Sequence, residues 1–327
     1  EEVIAHTSGF DAFIDGHSHT VMENKQVQDA SGKAVTLTQT GSYFANVGEM
    51  TIAADGTITT KLIPTHEGMD AGIAAMQTGW VNTVDDMLGE KIAVGDSDFY
   101  VSDPATGKRR IRSAETNLGD FVADGIYTYF NEVEKLHCDV AIMNGGGIRA
   151  DVPAGDWTFK TCKQVSPFGN VACLMSVTGK QIQDALEFAA RFAGEGGKEN
   201  GGFLQVAGAT YEIHTDIPNT VQTDEKNVWI GSATGTPRVQ NVKIYDKASG
   251  SYLPLDPGAT YALAGMNYTL RNLGDGFAMF DGAELIKDYV SEDYLVMATY
   301  AMTFDGADAA GLPHLSSANS PLAAYPG

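Results

Sequence analysis

The segment Gly16-His17-Ser18-His19 sets two imidazoles two residues apart, directly after the apolar run 10–14. Such a run predicts a short buried strand, and the carboxyl end of a strand is where open α/β sheets place their sites. Two imidazoles on that loop can each reach a metal ion, with Asp15 beside them. The competing reading is a loop with two exposed histidines. The other five histidines, His6, His66, His137, His214 and His314, show no ligand spacing, so no motif in the 327 residues completes a metal site.

Four further segments could carry chemistry. Asn144-Gly145-Gly146-Gly147-Ile148-Arg149 follows another apolar run, 139–143. Its glycines let the backbone approach a ligand and offer N–H donors, and Arg149 is a fork for carboxylate, phosphate or ribose oxygens. It is neither a phosphate-binding P-loop nor a dinucleotide fingerprint, because the required Gly-Lys-Ser/Thr and G-x-G-x-x-G spacings fail. Ser166-Pro167-Phe168-Gly169-Asn170 places an aromatic on a turn, suited to stack on a flat ligand or to plug a core. The segment 267–277 starts at a strand end and closes with Gly274-Asp275-Gly276, where Asp275 could accept two hydroxyls or cap its own turn. Lys108-Arg109-Arg110-Ile111-Arg112 is the one dense basic cluster of an acidic chain: a solvated hairpin face, or a face with one member turned into a site.

These segments need elements to hold them. Strands are expected at 10–14, 35–40, 47–53 and 57–63, with Asp55-Gly56 as a hairpin turn. Met69, Ile73, Met76, Trp80, Val84 and Leu88 recur every three or four residues, which predicts a helix over 69–90 and a domain connector. Beyond it the pattern is mixed α/β. Helices are expected at 117–130, at 283–302 with a break near Ser291, and from Thr178 to about Phe192, where Thr178 and Gln181 form a capping box. Strands are expected at 139–143, 210–215, 239–245 and 260–265. Residues 193–202 read as a flexible Gly-rich loop and the last 20 residues as a tail.

Composition narrows the function. With 21 basic and 42 acidic residues the formal net charge is −21, which repels nucleic acid and anionic membrane. No apolar run approaches the ~20 residues of a membrane span. Three cysteines make no disulfide framework, though Cys162 and Cys173 could pair across neighbouring strands. The start, EEVIAHTSGF, has no signal-peptide pattern and reads as the middle of a domain, with a helix ending at Gly9.

Taken in order, GHSHT, RSAETNLGDFVAD, NGGGIR, SPFGN and NYTLRNLGDGF resemble the 5′-nucleotidase family, two-domain metallophosphoesterases, over residues 10–304. The resemblance implies an α/β chain of α+β type. Residues 1–66 would be the end of a four-layer metallophosphoesterase domain, 67–90 a linker helix, and 91–327 a mixed-sheet substrate-binding domain with flanking helices. It implies that His17 and His19 are metal ligands in a two-cation centre of zinc, manganese, cobalt or similar ions. Arg112, Asn144, Gly146 and Arg149 would hold substrate, Phe168 and Tyr268 would flank the base, and Asp275 would bind ribose. Leu273 stands where the family has Gly, with one residue inserted, which weakens the match at Tyr268. The family's D-x-H, G-D and G-N-H-E/D motifs are absent, so the remaining metal ligands and the catalytic residues are expected upstream of Glu1. The implied partners are nucleotides or nucleosides and that missing segment. The implied location is extracellular, cell wall or periplasmic, with a signal peptide upstream. Within the class, 2′,3′-cyclic-nucleotide phosphodiesterase/3′-nucleotidase activity is the alternative; outside it, a non-hydrolytic nucleoside-binding surface module.

Overall fold

Short apolar runs punctuated by glycine become strands, and a computed structural model describes them over residues 1–65, 68–194 and 198–320. His66, the start of the expected linker, part of the Gly-rich loop and the end of the tail lie outside the described residues. The chain divides into two compact units, Glu1–Gly79 and Trp80–Gly327.

The first unit opens with α1 (Glu2–Ala5) and β1 (Ala12–Ile14), followed by β2 (Val21–Gln28) and β3 (Ala34–Thr40). β3 is central, parallel to β1 and antiparallel to β2. β4 (Asn46–Ile52) and β5 (Ile58–Pro64) form the hairpin that Asp55-Gly56 predicts: Gly56 has φ +85° and Asp55 Oδ1 accepts from Thr57 N at 2.9 Å. β2 was not expected. Its residues VMENKQVQ are largely polar, and only Met22 and Val27 are half-buried, against a small core of Ile4, Val35 and Leu37. The helix predicted over 69–90 is α2 (Ala71–Leu88), and none of its residues is buried.

In the second unit β6 (Lys91–Gly95) precedes α3 (Asn117–Thr128), β7 (Val140–Asn144), β8 (Gly155–Thr158) and α4 (Phe159–Val165). Next come β9 (Ala172–Thr178), α5 (Gly179–Ala189), β10 (Leu204–Ala207) and β11 (Ala209–Ile213). The short strands β12 (Gln222–Thr223) and β13 (Trp229–Gly231) pair with each other, and β14 (Val239–Asp246) and β15 (Ser251–Pro254) extend β11. The chain closes with β16 (Thr260–Met266), α6 (Asn267–Leu270), β17 (Glu284–Lys287), α7 (Asp293–Ala301) and β18 (His314–Leu315). The central sheet has the order β10-β7-β16-β9-β17, with β7 and β16 parallel and the other pairs antiparallel.

Period-two alternation splits this sheet between two cores. Ala141 and Met143 of β7 face a core with α3, α7 and Trp157; Val140 and Ile142 face one with α5 and β14. The same division corrects the cysteine expectation. Cys162, on α4, lies in the first core and Cys173, on β9, in the second, so the two thiols cannot meet. Cys138, Cys162 and Cys173 are all free and buried, and burial pushes each thiol well above its usual range.

The helix expected over 283–302 is also corrected. Its first part is β17, antiparallel to the edge of β9, and the pairing continues where Ala172 N donates to Ser291 O at 2.9 Å. An open sheet edge outweighs local helix propensity there; only Asp293–Ala301 is helical. The capping box is present: Thr178 Oγ1 accepts from Gln181 N at 3.2 Å, and Thr178 N donates to Gln181 Oε1 at 2.8 Å. At the far end of α5, Arg238, only 2% exposed, donates to the carbonyls of Ala190, Arg191, Ala193 and Thr215 at 2.6–3.3 Å. A cation thus satisfies the orphan carbonyls of the helix end. No described helix is long and apolar enough to cross a membrane.

Candidate functional site

β7 and β16 run parallel, so their carboxyl ends lie side by side. β10 and β9, antiparallel to them, begin at that same edge: Leu204 pairs with Asn144 and Ala172 with Met266. Four loops therefore meet at one end of the sheet, those after β7 and β16 and those before β9 and β10. The register alone brings together the 144–149, 166–170 and 267–277 segments.

Their side chains engage one another. Asp275 sits in a left-handed turn (φ +55°) and accepts from Asn144 Nδ2 at 2.9 Å and from Tyr268 OH at 3.1 Å. It does not cap its own turn. The Tyr268 ring lies over Gly274, where a Cβ would stand 2.5 Å from Cζ, so glycine is required. Leu273 also has positive φ (+56°), a conformation that favours glycine and costs a leucine about 1 kcal/mol.

The glycines after Asn144 serve close approach. A Cβ on Gly145 would stand 2.2 Å from the Ile111 carbonyl. Gly146 N donates to Gly201 O at 2.7 Å, and Arg149 Nη1 donates to Gly146 O at 3.3 Å. The Arg149 guanidinium lies 5.5 Å from the ring centroid of Phe168. Phe168 is 59% exposed and so is no core plug; Tyr268 is 37% exposed. The Phe168 loop is anchored by Asp293, whose Oδ2 accepts from Asn170 N at 3.2 Å.

Arg112 is half-buried and packs its charge among others. Burial, then Arg109 and Arg149, hold its guanidinium below the usual arginine range, while Glu199 and Asp275 oppose them. Arg109 is instead ion-paired with Glu199, Nε to Oε2 at 2.8 Å, so Arg112 is the member of the basic cluster that turns inward. Gln205, 2% exposed, fixes the backbone around it by donating to the Ile111 and Ala114 carbonyls at 3.1 and 3.0 Å. Two buried polar atoms in this cluster, Arg112 Nε and Asn144 Oδ1, have no partner.

All seven residues singled out here, Arg112, Asn144, Gly146, Arg149, Phe168, Tyr268 and Asp275, thus belong to one cluster. Sequence reasoning missed the segment 199–205 that backs it. A signal was present: Asn200-Gly201-Gly202 repeats Asn144-Gly145-Gly146, and the two turns meet through the Gly146–Gly201 hydrogen bond. The cluster presents a carboxylate, two exposed aromatic rings and two inward arginines, a set able to hold hydroxyls, a flat ring and an anion together.

The histidine loop is in the first unit. Gln39 of β3, 2% exposed, organises it by accepting from Ser18 Oγ at 3.0 Å and Thr20 N at 2.7 Å. His17 and His19 both have positive φ (+69° and +59°) and are exposed. Among the described residues no group of three or more His, Cys, Asp or Glu could hold a metal ion. Two imidazoles supply at most half of a tetrahedral shell, so these residues alone do not fit a metal centre.

Comparison with known proteins bears on the family and the fold. A sequence model of the 5′-nucleotidase, C-terminal domain, covers residues 91–282. The trifunctional nucleotide phosphoesterase protein YfkN of Bacillus subtilis is 30% identical over 305 residues, 90% of this chain and 19% of that protein. Protein UshA of Escherichia coli is 26% identical over 194 residues, 56% of this chain and 28% of its own length. The crystal structure of a 5′-nucleotidase precursor from Thermus thermophilus superposes with a TM-score of 0.66 at 24% identity, covering 96% of this chain and 61% of that one. The chain spans less than two thirds of each of these relatives. With more than half of its length matched by that model, the chain belongs to the 5′-nucleotidase family.

Proposed function

We propose that this chain is the nucleotide-binding part of a secreted, metal-dependent 5′-nucleotidase that hydrolyses nucleotide phosphate esters. The observation that carries this reading is the Asn144–Asp275–Tyr268 network standing between two inward arginines and an exposed Phe168. Asp275 accepts the ribose hydroxyls on the lone pairs that Asn144 and Tyr268 leave free. Phe168 and Tyr268 flank the base, and stacking of this kind is worth ~1–3 kcal/mol and tolerates base identity. Arg112 and Arg149 pair with phosphate, where charge-assisted hydrogen bonds are about twice as strong as neutral ones.

Residues 91–327 form the substrate-binding domain in this reading, 67–90 the linker, and 1–66 the end of the catalytic domain. His17 and His19 contribute to a centre of two divalent ions whose other ligands lie in sequence outside these 327 residues. The chain by itself does not hydrolyse nucleotides. The whole protein acts outside the cytoplasm, at the cell wall, in the periplasm or free in the medium.

Calorimetric titration with adenosine and AMP tests the site. Both bind, AMP more tightly, and Phe168→Ala and Arg149→Ala each weaken AMP binding about tenfold or more. Absence of binding, or binding unchanged in both variants, overturns the assignment. YfkN is a trifunctional nucleotide phosphoesterase protein, and similarity to a relative with more than one phosphoesterase activity supports a second reading, a 2′,3′-cyclic-nucleotide 2′-phosphodiesterase/3′-nucleotidase. Release of phosphate from 3′-AMP but not 5′-AMP by the whole protein selects it.

A further inference from the structure

Asp275 accepts two hydrogen bonds, both from neutral donors, the Asn144 amide and the Tyr268 hydroxyl. Among the described residues no Lys or Arg is ion-paired with it, and Arg112, which senses its charge from within the site, is itself committed to the ligand in the reading above. A carboxylate in a half-buried site needs a counter-charge nearby. A guanidinium in direct contact would meet that need but would occupy the lone pairs a ligand must use.

Arg191 lies behind this turn. It sits in the single 3-10 turn that ends α5 and is 5% exposed. Its guanidinium stacks on Phe188, 3.8 Å from the ring centroid, with Phe192 at 4.8 Å. Nη1 donates to the Phe188 carbonyl at 2.7 Å, and Nε has no hydrogen-bond partner. The other edge of Phe188 touches the Asp275 turn. Its ring meets Phe277 edge-on at 5.1 Å, and a Cβ on Gly276 would stand 3.3 Å from its Cζ. Burial pulls the Arg191 guanidinium down to about 10, and the Asp275 carboxylate opposes that pull, so Arg191 is cationic at neutral pH and the two charges sense each other.

We infer that Arg191 is a positioning residue for ligand hydroxyls: from behind Phe188 it adds to Arg112 a second counter-charge for Asp275 and keeps that carboxylate turned toward the vicinal diol of a nucleoside, leaving its free lone pairs to the ligand. The inference rests on the nucleoside reading given above. Cation–aromatic stacking holds the charge in place without a direct bond. Arg191 touches no ligand in this arrangement; it acts through the Asp275 turn.

The test is a comparison of adenosine with 2′,3′-dideoxyadenosine, which lacks the diol, by calorimetric titration of the chain. Wild type prefers adenosine by about 30-fold, the scale of two charge-assisted hydrogen bonds. Arg191→Met cuts the preference to about 3-fold through weaker adenosine binding, with dideoxyadenosine changed less than about twofold. Arg191→Lys, which keeps the charge, retains most of the preference. Adding Arg191→Met to Asp275→Asn has no further effect on it. A merely structural role for Arg191 would weaken both ligands alike. Equal loss of both ligands, or undiminished preference in Arg191→Met, overturns the inference alone. A wild-type chain that binds neither compound, or both equally, overturns the nucleoside reading and this inference with it. Circular dichroism checks each variant; if Arg191→Met does not fold, Arg191→Gln, neutral and polar, replaces it with the same two outcomes.

Discussion

Two loops in this molecule start alike and end differently. Each follows a short apolar strand, β1 before His17 and His19, β7 before Asn144 and Arg149. In the first unit β1 pairs with β3 alone, the core is three buried residues, and both histidines stand exposed. In the second unit β7 has neighbours on both sides and two cores behind it. There Asn144 and Tyr268 are tied to Asp275, Arg149 to Phe168, and the Arg112 backbone to Asn200 of the 199–205 segment. A polar loop becomes a shaped site only when the strands beside its own bring further loops to the same edge. The histidine loop has Gln39, which fixes its backbone, and Tyr43, whose ring meets His19 edge-on at 6.0 Å, and neither bonds to an imidazole nitrogen.

The largest expected effect attacks the support of the second unit. Arg238→Met removes the guanidinium that donates to the carbonyls of Ala190, Arg191 and Ala193 at the end of α5 and of Thr215 beyond β11. The cost is about 3–5 kcal/mol, because breaking a buried charged network leaves its partners unsatisfied. Denaturation followed by Trp157 and Trp229 fluorescence measures it. Leu37→Ala, the matching lesion in the small core of the first unit, costs about 2–3 kcal/mol, at the low end for leucine because few atoms surround the cavity it leaves. Amide exchange of β3 measures that loss. If Leu37→Ala proves the costlier of the two, the contrast drawn between the units is wrong.

A smaller effect probes the site itself. Asn144→Ala removes one of the two donors to Asp275 and weakens AMP binding about tenfold, the scale of one charge-assisted hydrogen bond. Thermal stability changes little, since the lost bond lies at the mouth of the sheet. Calorimetric titration separates this outcome from a fold defect. Unchanged AMP affinity would show that the Asn144–Asp275 bond does not prepare the carboxylate for a ligand.

The same contrast explains how much could be read in advance. Asn144 and Asp275 were legible because each follows an apolar strand that is buried and parallel to the other. Their order along the chain resembled a known family before any contact was seen. The basic cluster was legible only as alternatives, since periodicity does not say which arginine turns inward; Ile111 and Gln205 settle it for Arg112 through tertiary contacts. β17 was misread as helix because its residues pair with a sheet edge that sequence spacing does not reveal. The Cys162–Cys173 pairing stayed open in the sequence for a related reason: nearness in sequence says nothing about which core a side chain enters, and the two thiols lie in different ones. Arg191 and the 199–205 segment were missed because they back the site rather than line it.

The smallest effect concerns acids of the second unit that, unlike Asp275, have no hydrogen-bonding donors among the described residues to explain their burial. Asp120 and Asp124, one turn apart on α3, line a cavity of about 950 Å³ with Glu115, Tyr211 and Tyr300. Burial, then the carboxylates of Glu115 and Asp124, push Asp120 up to about 8; burial alone pushes Asp124 up to about 7. An acid whose folded pKa exceeds its unfolded value of ~3.9 binds its proton more tightly in the folded state. Its contribution to stability is complete below about pH 4 and is lost as pH rises through about 8. Asp120→Asn keeps the shape of the neutral acid and cannot ionise. At pH 8.5 it therefore stabilises the fold by roughly 1–2 kcal/mol, a rise of about 2–8 °C in Tm, and at pH 4 it changes almost nothing. Thermal scans at the two pH values give the answer. A shift of equal size at both would mean that packing, not charge, governs Asp120, and the pairing of donors would then not be what separates Asp275 from the acids of α3.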